Sequence, residues 1–391
     1  MDTRGCPRAA DVGLSGVPIA GLAGPELFDP AAYGRDGDPH ETFARLRRED
    51  PVQVAGGDYG DDPRETRTIV QMDPPRHRER RALMSPRFTP RALRGLHSDL
   101  DAITATILDE LEAKSTAGEC DFVEAVAAPL ALAVIAHRMD LPRADWPRLF
   151  RWTNEMAGAT DPQYRGPGES PTETRLRATA EVFAYFAEIV ERRRHAPGDD
   201  RVSVLARARP DGLPLPEHEL LSYCLLLIGG GNETTRNALS GGLLAFLEHP
   251  DQWRHLQSEP RLSASACEEV LRFTTPVIHN ARTADRDCEL GGRTIRGGDT
   301  LALFWPSANR DEAIFDAPDR FRIDRFPNPH LAFQIGEHIC LGAHLARMEI
   351  QSALRALATR LAFVEQAGPV ERLQSSSVGG VKRLPIRYRL A

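Results

Sequence analysis

The stretch that decides the fold reads Phe333-Gln334-Ile335-Gly336-Glu337-His338-Ile339-Cys340-Leu341-Gly342-Ala343-His344-Leu345-Ala346-Arg347. Cys340 comes just before a predicted helix, because Leu341, Leu345 and Met348 follow helical spacing. The unpaired N–H groups and the dipole at a helix start favour a thiolate over a thiol. Glycines at 336 and 342 let the backbone turn sharply and approach a flat partner, where a Cβ would collide.

This run resembles the haem-binding loop of cytochromes P450, Phe-x-x-Gly-x-His-x-Cys-x-Gly followed by Leu-Ala-Arg. The resemblance implies that Cys340 is the axial ligand of a haem b iron, where a thiolate favours O–O cleavage. It also implies cofactor contacts at Phe333, Gly336, His338 and Gly342. The implied fold is mainly α with small β-sheets, a triangular helical prism around haem, and we expect residues 1–391 to form one such domain.

Two other interpretations of Cys340 stay open from the residues alone. A lone cysteine is most often a small, buried apolar residue. His338, Cys340 and His344 could instead ligate zinc, but neither a fourth ligand nor a paired Cys-x-x-Cys accompanies them.

Composition excludes several classes of protein. The chain has 391 residues, 41% of them hydrophobic, and a net charge of −7, so it can bury a large core and has no broad nucleic-acid signature. Its six cysteines are scattered without disulfide or metal spacing, which fits a reducing cytoplasm. The N-terminus lacks an apolar signal core, and the longest apolar run, Leu220–Ile228, is too short for a bilayer. We therefore expect a cytoplasmic protein without a membrane segment.

Helices dominate the predicted elements. Apolar periodicity and proline positions predict helices at 40–48, just after Asp73-Pro74-Pro75, and at 90–114, 122–139, 146–156, 175–194, 219–248 and 263–273. Short strands are predicted at 289–294, 300–304, 361–364 and 385–390. The Gly-, Pro- and Thr-rich segment 158–174 is predicted to be a mobile loop.

The long predicted helix carries Gly230-Gly231-Asn232-Glu233-Thr234-Thr235. Consecutive glycines in a helix cost about 1 kcal/mol each relative to alanine, so a locally opened helix with room for a small ligand is expected. The run is similar to the P450 oxygen-binding helix, which implies that Thr234 and Glu233 manage protons during catalysis. The alternative is a tolerated glycine kink beside a surface Glu-Thr pair. A phosphate loop is disfavoured, because no lysine follows the glycines.

Glu269 and Arg272 stand at i, i+3 on one predicted helix, a spacing that lets them pair. The downstream Phe321-Arg322-Ile323-Asp324-Arg325-Phe326 resembles the P450 meander. That resemblance implies a structural network of Glu269, Arg272 and Arg325 that braces the cysteine loop.

The resemblance also supplies cations for the two haem propionates. It points to Arg282, to His338, and to His77 and Arg81, which stand at i, i+4. Each could instead be a solvated charge. Four further arginines are expected on a basic surface for an acidic ferredoxin: Arg76, Arg78, Arg80 and Arg87.

Substrate contacts are expected, by resemblance, from the long helix, from the segment after the Glu269 helix and from near the C-terminus. The predicted residues are Leu227, Gly230, Val277, Ile278, His279, Asn280 and Val378. Two features depart from the family. Gln334 stands where many bacterial relatives have glycine, and the segment 53–72 is abbreviated. We expect the abbreviated segment to leave the pocket wide, or closed by other elements such as the 158–174 loop and the helix after it.

The residues together identify the chain as resembling a soluble bacterial P450 monooxygenase. It would hydroxylate or epoxidise a mostly apolar secondary metabolite, terpenoid or steroid-like molecule with O2. Electrons would come from NAD(P)H through ferredoxin reductase and ferredoxin, because no flavin or iron–sulfur region is present. The wording of the long helix looks like that of actinobacterial sterol and isoprenoid hydroxylases. Alternatives are a carrier-protein-tethered substrate, a peroxygenase, and a haem-thiolate sensor without turnover.

Overall fold

The computed structural model of the chain describes residues 25–50, 52 and 68–391, and over these residues the fold is mainly helical. The helices are α1 Pro30–Asp36, α2 His40–Glu49, α3 Arg76–Ala82, α4 Pro90–Leu93, α5 His97–Lys114, α6 Ala128–Met139, α7 Trp146–Ala157, α8 Pro171–His195, α9 Arg201–Arg207, α10 Glu217–Glu248, α11 Pro250–Ser258, α12 Ser263–Thr274, α13 Trp305–Ala308 and α14 Ala343–Arg360. The expected fold class is confirmed.

Small antiparallel sheets lie between these helices. The strands are β1 Ala117–Asp121, β2 His279–Thr283, β3 Cys288–Leu290, β4 Arg293–Ile295, β5 Thr300–Phe304, β6 Leu361–Gln366, β7 Glu371–Arg372, β8 Val381–Arg383 and β9 Pro385–Leu390. β9 lies between β1 and β6, while β2–β5, β3–β4 and β7–β8 form separate pairs. The pairing of β2 with β5 sets Asn280 opposite Leu303 and Arg282 opposite Leu301.

Helix α10 is the centre of the molecule and contacts α6, α7, α8, α12 and α14. Its residues 220–228 belong to one apolar cluster and its residues 238–246 to another. A helix that is apolar on most of its faces is buried, which fits this central place. The glycines and polar residues between the two apolar halves therefore lie in the middle of the molecule.

Two predicted elements differ from the observed ones. Helix α8 begins at Pro171, before the predicted start at 175, because Ser170 caps it and Glu173 closes a capping box. The single strand predicted at 289–294 is a hairpin of β3 and β4, because Gly291 and Gly292 adopt φ of 57° and 76° and turn the chain. The other predicted helices are confirmed to within a few residues, although 90–114 and 122–139 each contain an irregular turn.

Most of the abbreviated segment, residues 53–67, lies outside the described residues, and so does Cys6. The described end of the segment is a short 3₁₀ turn, Ile69–Gln71, which Thr68 caps. None of the helices in the described ranges is both long and apolar enough to cross a membrane.

Candidate active site

The turn before α14 directs Cys340 into the interior of the molecule. The backbone N–H of Cys340 donates to the carbonyl of Phe333 at 2.9 Å, so the loop closes on itself. Gly336 makes this turn possible with φ of +77° and opens a 3₁₀ turn that ends at His338. Cys340 thereby faces a cavity, with α14 starting three residues later.

The Cys340 thiol is open to this cavity yet surrounded by protein. Burial raises the pKa of the Cys340 thiol, while the Gly342 backbone N–H, Arg81 and Arg347 act in the opposite direction. Burial thus opposes the thiolate that the helix start favours. A metal cation bound at the sulfur would displace the proton.

The cavity has a volume of about 290 Å³ and lies between α10, α12, β2 and α14. Apolar side chains make most of its wall, including Ile135, Leu226, Leu271 and Leu345. Ile69 and Val70, at the end of the abbreviated segment, also line it. The cavity is mainly apolar, with polar groups concentrated near the cysteine.

Two histidines and two arginines converge on the cavity beside Cys340: His77, Arg81, Arg282 and His338. The two histidine rings stack with centroids 4.1 Å apart. Arg81 donates to the carbonyl of Ile339 at 2.6 Å, and Arg282 to that of Ala281 at 2.7 Å. Across residues 25–50, 52 and 68–391, no ion pair joins either arginine to a carboxylate. The charges of both arginines thus remain available to an anionic ligand.

The pKa of each of these histidines is lowered, which keeps both rings mostly neutral at neutral pH. Burial is the main cause for both, with Arg81 adding to it for His77, and His77 and Arg282 adding to it for His338. His77 Nδ1 is buried and has no hydrogen-bond partner in the described part of the chain. An orphaned buried ring nitrogen is expected where a ligand completes the site.

These residues fit a haem group. Cys340 offers the axial sulfur, and the arginines and histidines face the cavity, where two propionate carboxylates need cations. A Cβ on Gly342 would lie 4.0 Å from Cys340 Sγ, in the space beside the ligand atom. The zinc alternative finds no support, since the described residues contain no group of three or more His, Cys, Asp and Glu that could hold a metal ion.

Helix α10 forms the opposite wall and runs without a break through its glycines. A Cβ on Gly229 or Gly230 would meet no atom within 4 Å, whereas one on Gly231 would lie 3.1 Å from Ile135. The room beside the helix comes from missing side chains, and the predicted local opening of the helix is not seen. Thr234 lines the cavity and donates its hydroxyl to the Gly230 carbonyl at 2.8 Å.

Glu233 points away from this cavity. It is 3% exposed, and its Oε1 accepts hydrogen bonds from Arg236 and from Asn237, the latter at 3.1 Å. Arg236 in turn donates to Asn154 of α7 at 2.6 Å. Glu233 Oε2 is buried and has no hydrogen-bond partner among the described residues. Glu233 and Thr234 are neighbours in sequence, but they face different sides of α10.

The predicted substrate residues divide into two groups. Leu227, Gly230, Val277 and Asn280 line the cavity. Ile278, His279 and Val378 are not part of its wall, and their role as substrate contacts stays a prediction. Side chains alternate along β2: Asn280 and Arg282 face the cavity, while His279 packs between Phe28 and Phe304 and its Nδ1–H donates to the Ser376 carbonyl at 2.9 Å.

Glu349 is a site residue that sequence reasoning missed. It lies on α14, lines the cavity, is 4% exposed, and its Oε2 has no hydrogen-bond partner in the structure's described ranges. Burial raises the pKa of Glu349 well above its usual value, which favours the neutral form of its carboxyl. Its position four residues after Leu345, on the apolar face of α14, was the available signal.

Behind the cysteine loop, Glu269 pairs with both predicted arginines. Arg272 donates to both of its carboxylate oxygens at 2.8 Å, and Arg325 donates to Oε2 at 3.1 Å. Arg272 also donates to the Asn309 carbonyl, and the Asn309 side chain accepts from Leu331 N at 2.6 Å. The network thus reaches the segment that leads into the cysteine loop.

Comparisons with known proteins agree with this geometry. The family model described as Cytochrome P450 matches residues 47–389. The chain is 38% identical over 325 residues to the steroid C26-monooxygenase of Rhodococcus jostii, covering 83% of this chain and 66% of that protein. It is 30% identical over 406 residues to the linalool 8-monooxygenase of Pseudomonas putida, covering 93% of this chain and 98% of that protein.

Solved structures show the same architecture. CYP108D1 from Novosphingobium aromaticivorans superposes with a TM-score of 0.83 at 30% identity, covering 97% of this chain and all of that one. P450BioI in complex with hexadec-9Z-enoic acid ligated acyl carrier protein gives a TM-score of 0.79 at 30% identity, covering 90% of this chain and 99% of that one.

Proposed function

The chain belongs to the cytochrome P450 family and is a P450 monooxygenase, and on that premise we propose that it inserts one oxygen atom of O2 into a mostly apolar small molecule. The observation that carries this proposal is a single cavity that joins the Cys340 thiol, four propionate-binding candidates and the Thr234 hydroxyl. We treat the whole chain as one functional domain.

Haem, when bound, supplies the oxygen activation, and the protein supplies binding, orientation and proton control. Cys340 would hold the iron, while His77, Arg81, Arg282 and His338 would hold the propionates. The overall reaction consumes O2, two electrons and two protons, and it yields one hydroxyl or epoxide oxygen in the product and one water. The protein's remaining task is to deliver those protons at the right place and to keep other water out.

Thr234 and Glu233 would both take part in proton delivery, each in a different role. The Thr234 hydroxyl faces the cavity and donates to the Gly230 carbonyl, so its oxygen can accept a hydrogen bond there and order a water. Glu233 holds an acceptor oxygen on the far side of the same helical turn, within one residue of Thr234. A rotation of the Glu233 side chain, or a water beside it, would connect the two.

An apolar substrate is supported by the cavity wall and by the relatives. Leu226, Leu227, Ile135 and Val277 give a surface that gains free energy when it buries apolar area. The two relatives act, by name, on a steroid and on the terpenoid linalool. We therefore favour a terpenoid, a steroid-like molecule or a similar apolar secondary metabolite.

A ferredoxin, supplied with electrons from NAD(P)H by a ferredoxin reductase, is the proposed electron donor. The expected basic surface is partly neutralised, because Arg78 pairs with Glu337 and Arg76 with Glu219. Arg80 is mostly buried against Glu219 and does not belong to that surface. Ile335, exposed by 68% in the cysteine loop, would add an apolar contact for the partner.

A carrier-protein-tethered substrate is the second candidate function. The neighbour P450BioI was solved with a fatty acid ligated to acyl carrier protein, and it covers 90% of this chain. A free substrate and a tethered one are separated by comparing the same acyl chain in both forms.

The proposal is tested by substrate-induced shifts of the Soret band across a panel of terpenoids, steroids, and free and carrier-bound fatty acids. Thr234→Ala should keep those shifts but waste reducing equivalents as peroxide, losing about tenfold or more in product per NAD(P)H, because general acid–base help is lost. Thr234→Ser, which keeps the hydroxyl, should couple nearly normally. Equal coupling in the wild type and Thr234→Ala would contradict the assigned role.

A further inference from the structure

A second cavity, of about 330 Å³, lies on another side of α10. Five residues of that helix form part of its wall: Asn237, Gly241, Leu244, Ala245 and Glu248. The last four follow Asn237 by four, seven, eight and eleven positions. These spacings mark one face of a helix. The first and second cavities are thus separated by α10 itself.

This cavity connects the surface with the interior. Glu248 is exposed at its outer end, whereas Asn237 is 2% exposed at its inner end. The two residues are eleven positions apart in α10, which corresponds to about 16 Å along the helix axis. The cavity is therefore long enough, and runs in the right direction, to connect the surface with the buried Asn237.

Charged groups in its wall favour water as the occupant. Asp38 lies near Arg310 and Arg372, yet within the described ranges no hydrogen bond or ion pair joins Asp38 to either guanidinium. Opposite charges that share a polar cavity without touching are normally bridged by water.

The inner end of the cavity reaches Glu233. The Asn237 side-chain amide donates to Glu233 Oε1 at 3.1 Å. The same amide packs flat on Gly380, where an added Cβ would come within 2.2 Å of Asn237 Cγ. Glu233 lines neither cavity, and of its two described hydrogen-bond donors Arg236 leads to Asn154 of α7, whereas Asn237 belongs to the wall of the second cavity.

We propose that the second cavity is a water-filled inlet that supplies protons to Glu233, with Asn237 as the positioning residue at its inner end. The inference rests on the proposed role of Glu233. Water in the inlet gives a proton to the Glu233 carboxylate, and the resulting carboxyl passes it towards Thr234 and returns to the carboxylate. Two such cycles provide the two protons that the reaction consumes, and solvent replaces each of them.

Leu244→Trp tests the inlet without touching Asn237, Glu233 or the Cys340 cavity. Its larger ring should fill the space between the mouth and Asn237, and proton delivery should become limiting. We expect product per NAD(P)H to fall by about tenfold, and the H2O/D2O ratio of product formation to rise from near 1 to about 2 or more. A repacking effect without a blocked inlet would not raise the isotope ratio.

Two further measurements complete the test. Gly380→Ala, which must displace the Asn237 amide, should reproduce the loss of coupling, while Ser240→Ala, a buried α10 residue outside the cavity wall, should not. A high-resolution structure of the haem-loaded protein should show ordered waters from Asp38 to Asn237. Normal coupling and isotope ratio in Leu244→Trp, or a dry cavity, would overturn the inlet.

The two proposals can fail separately. Haem that carries no thiolate ligand in the wild-type protein would refute the proposed function. A normal thiolate spectrum combined with unchanged coupling in Leu244→Trp and Gly380→Ala would refute the inlet alone.

Discussion

At the scale of single residues, Gln334 shows how the chain departs from its family without losing the site. Its φ of +61° lies in the left-handed region, where glycine is favoured and a side chain costs about 1 kcal/mol or more. The hydrogen bond from Gln334 N to the Leu331 carbonyl at 2.8 Å holds this conformation. The loop geometry is therefore retained, at the expense of strain.

Gln334→Gly should relieve this strain and raise the free energy of unfolding by up to about 1 kcal/mol, because glycine adopts positive φ at little cost. Urea denaturation of the haem-loaded protein measures the change. The matched control is Ile335→Gly, since Ile335 has φ of −144° and should lose stability on replacement. A loss of stability in Gln334→Gly as well would show that the strain is not relieved.

Glu349 allows a prediction about pH. Its pKa is raised in the folded protein, so above its usual value of 4.5 the unfolded chain releases a proton that the folded chain keeps. Folding stability should then fall with rising pH by about 1.4 kcal/mol for each pH unit, until the folded pKa is passed. Glu349→Gln, neutral in both states, should remove this dependence.

Unfolding free energies of wild type and Glu349→Gln should therefore diverge in favour of the variant as the pH rises above the usual pKa of 4.5, and converge below it. Glu188→Gln, at an exposed position of α8, is the control and should show no such divergence. Parallel pH profiles for wild type and Glu349→Gln would mean that Glu349 is ionised in the folded protein.

At the scale of elements, the loop between α7 and α8 is tied down, contrary to the expectation of a mobile lid over the cavity. Asp161 accepts hydrogen bonds from the Lys382 ammonium of β8 at 3.0 Å and from the backbone N–H of Gln374 at 3.2 Å. The pair is buried, because the Lys382 side chain is 10% exposed and that of Asp161 is 1% exposed. No residue of segment 158–174 lines the Cys340 cavity as the described residues form it. A buried pair of this kind fixes the loop against the C-terminal strands.

Lys382→Met should destabilise the protein by about 3 kcal/mol, because it leaves the Asp161 carboxylate buried and unpaired. It should also expose the 158–170 loop to limited proteolysis. The chain contains one other lysine, the exposed Lys114, so Lys114→Met is the matched control, with an expected change within about 0.5 kcal/mol. Equal stability and equal proteolysis of the two variants would show that the pair does not anchor the loop.

The long helices were predictable from the sequence, whereas the direction in which individual side chains face was not. The apolar content of α10 correctly predicted a long helix, and the glycine spacing around Cys340 correctly predicted the turn before α14. Each of these signals extends over many residues. Strand alternation turns His279 away from the cavity and Asn280 towards it, and a shift of one position would reverse that choice. The outward turn of Glu233 depends on Arg236 and Asn154, which come from two different helices.

At the scale of the whole molecule, α10 is one wall of two cavities with different chemistry. The Cys340 cavity is mainly apolar and suits haem with an apolar substrate, while the second cavity carries Asp38, Arg310 and Arg372. The sequence predicted the first cavity through its motifs. The second could not be predicted, because its wall combines residues from α10, the segment around Asp38 and the C-terminal strands, which come together only in the fold.

The central claim is that Cys340 is the axial thiolate ligand of haem. The most direct test is the absorption spectrum of the reduced, haem-loaded protein under carbon monoxide, for the wild type, for Cys340→Ser and for the exposed-cysteine control Cys288→Ser. The wild type and Cys288→Ser should absorb at the position characteristic of thiolate-ligated haem. Cys340→Ser should lose that band, because a serine hydroxyl does not ionise readily enough to replace a thiolate. A wild-type spectrum typical of histidine-ligated haem, or a thiolate band that persists in Cys340→Ser, would contradict the claim.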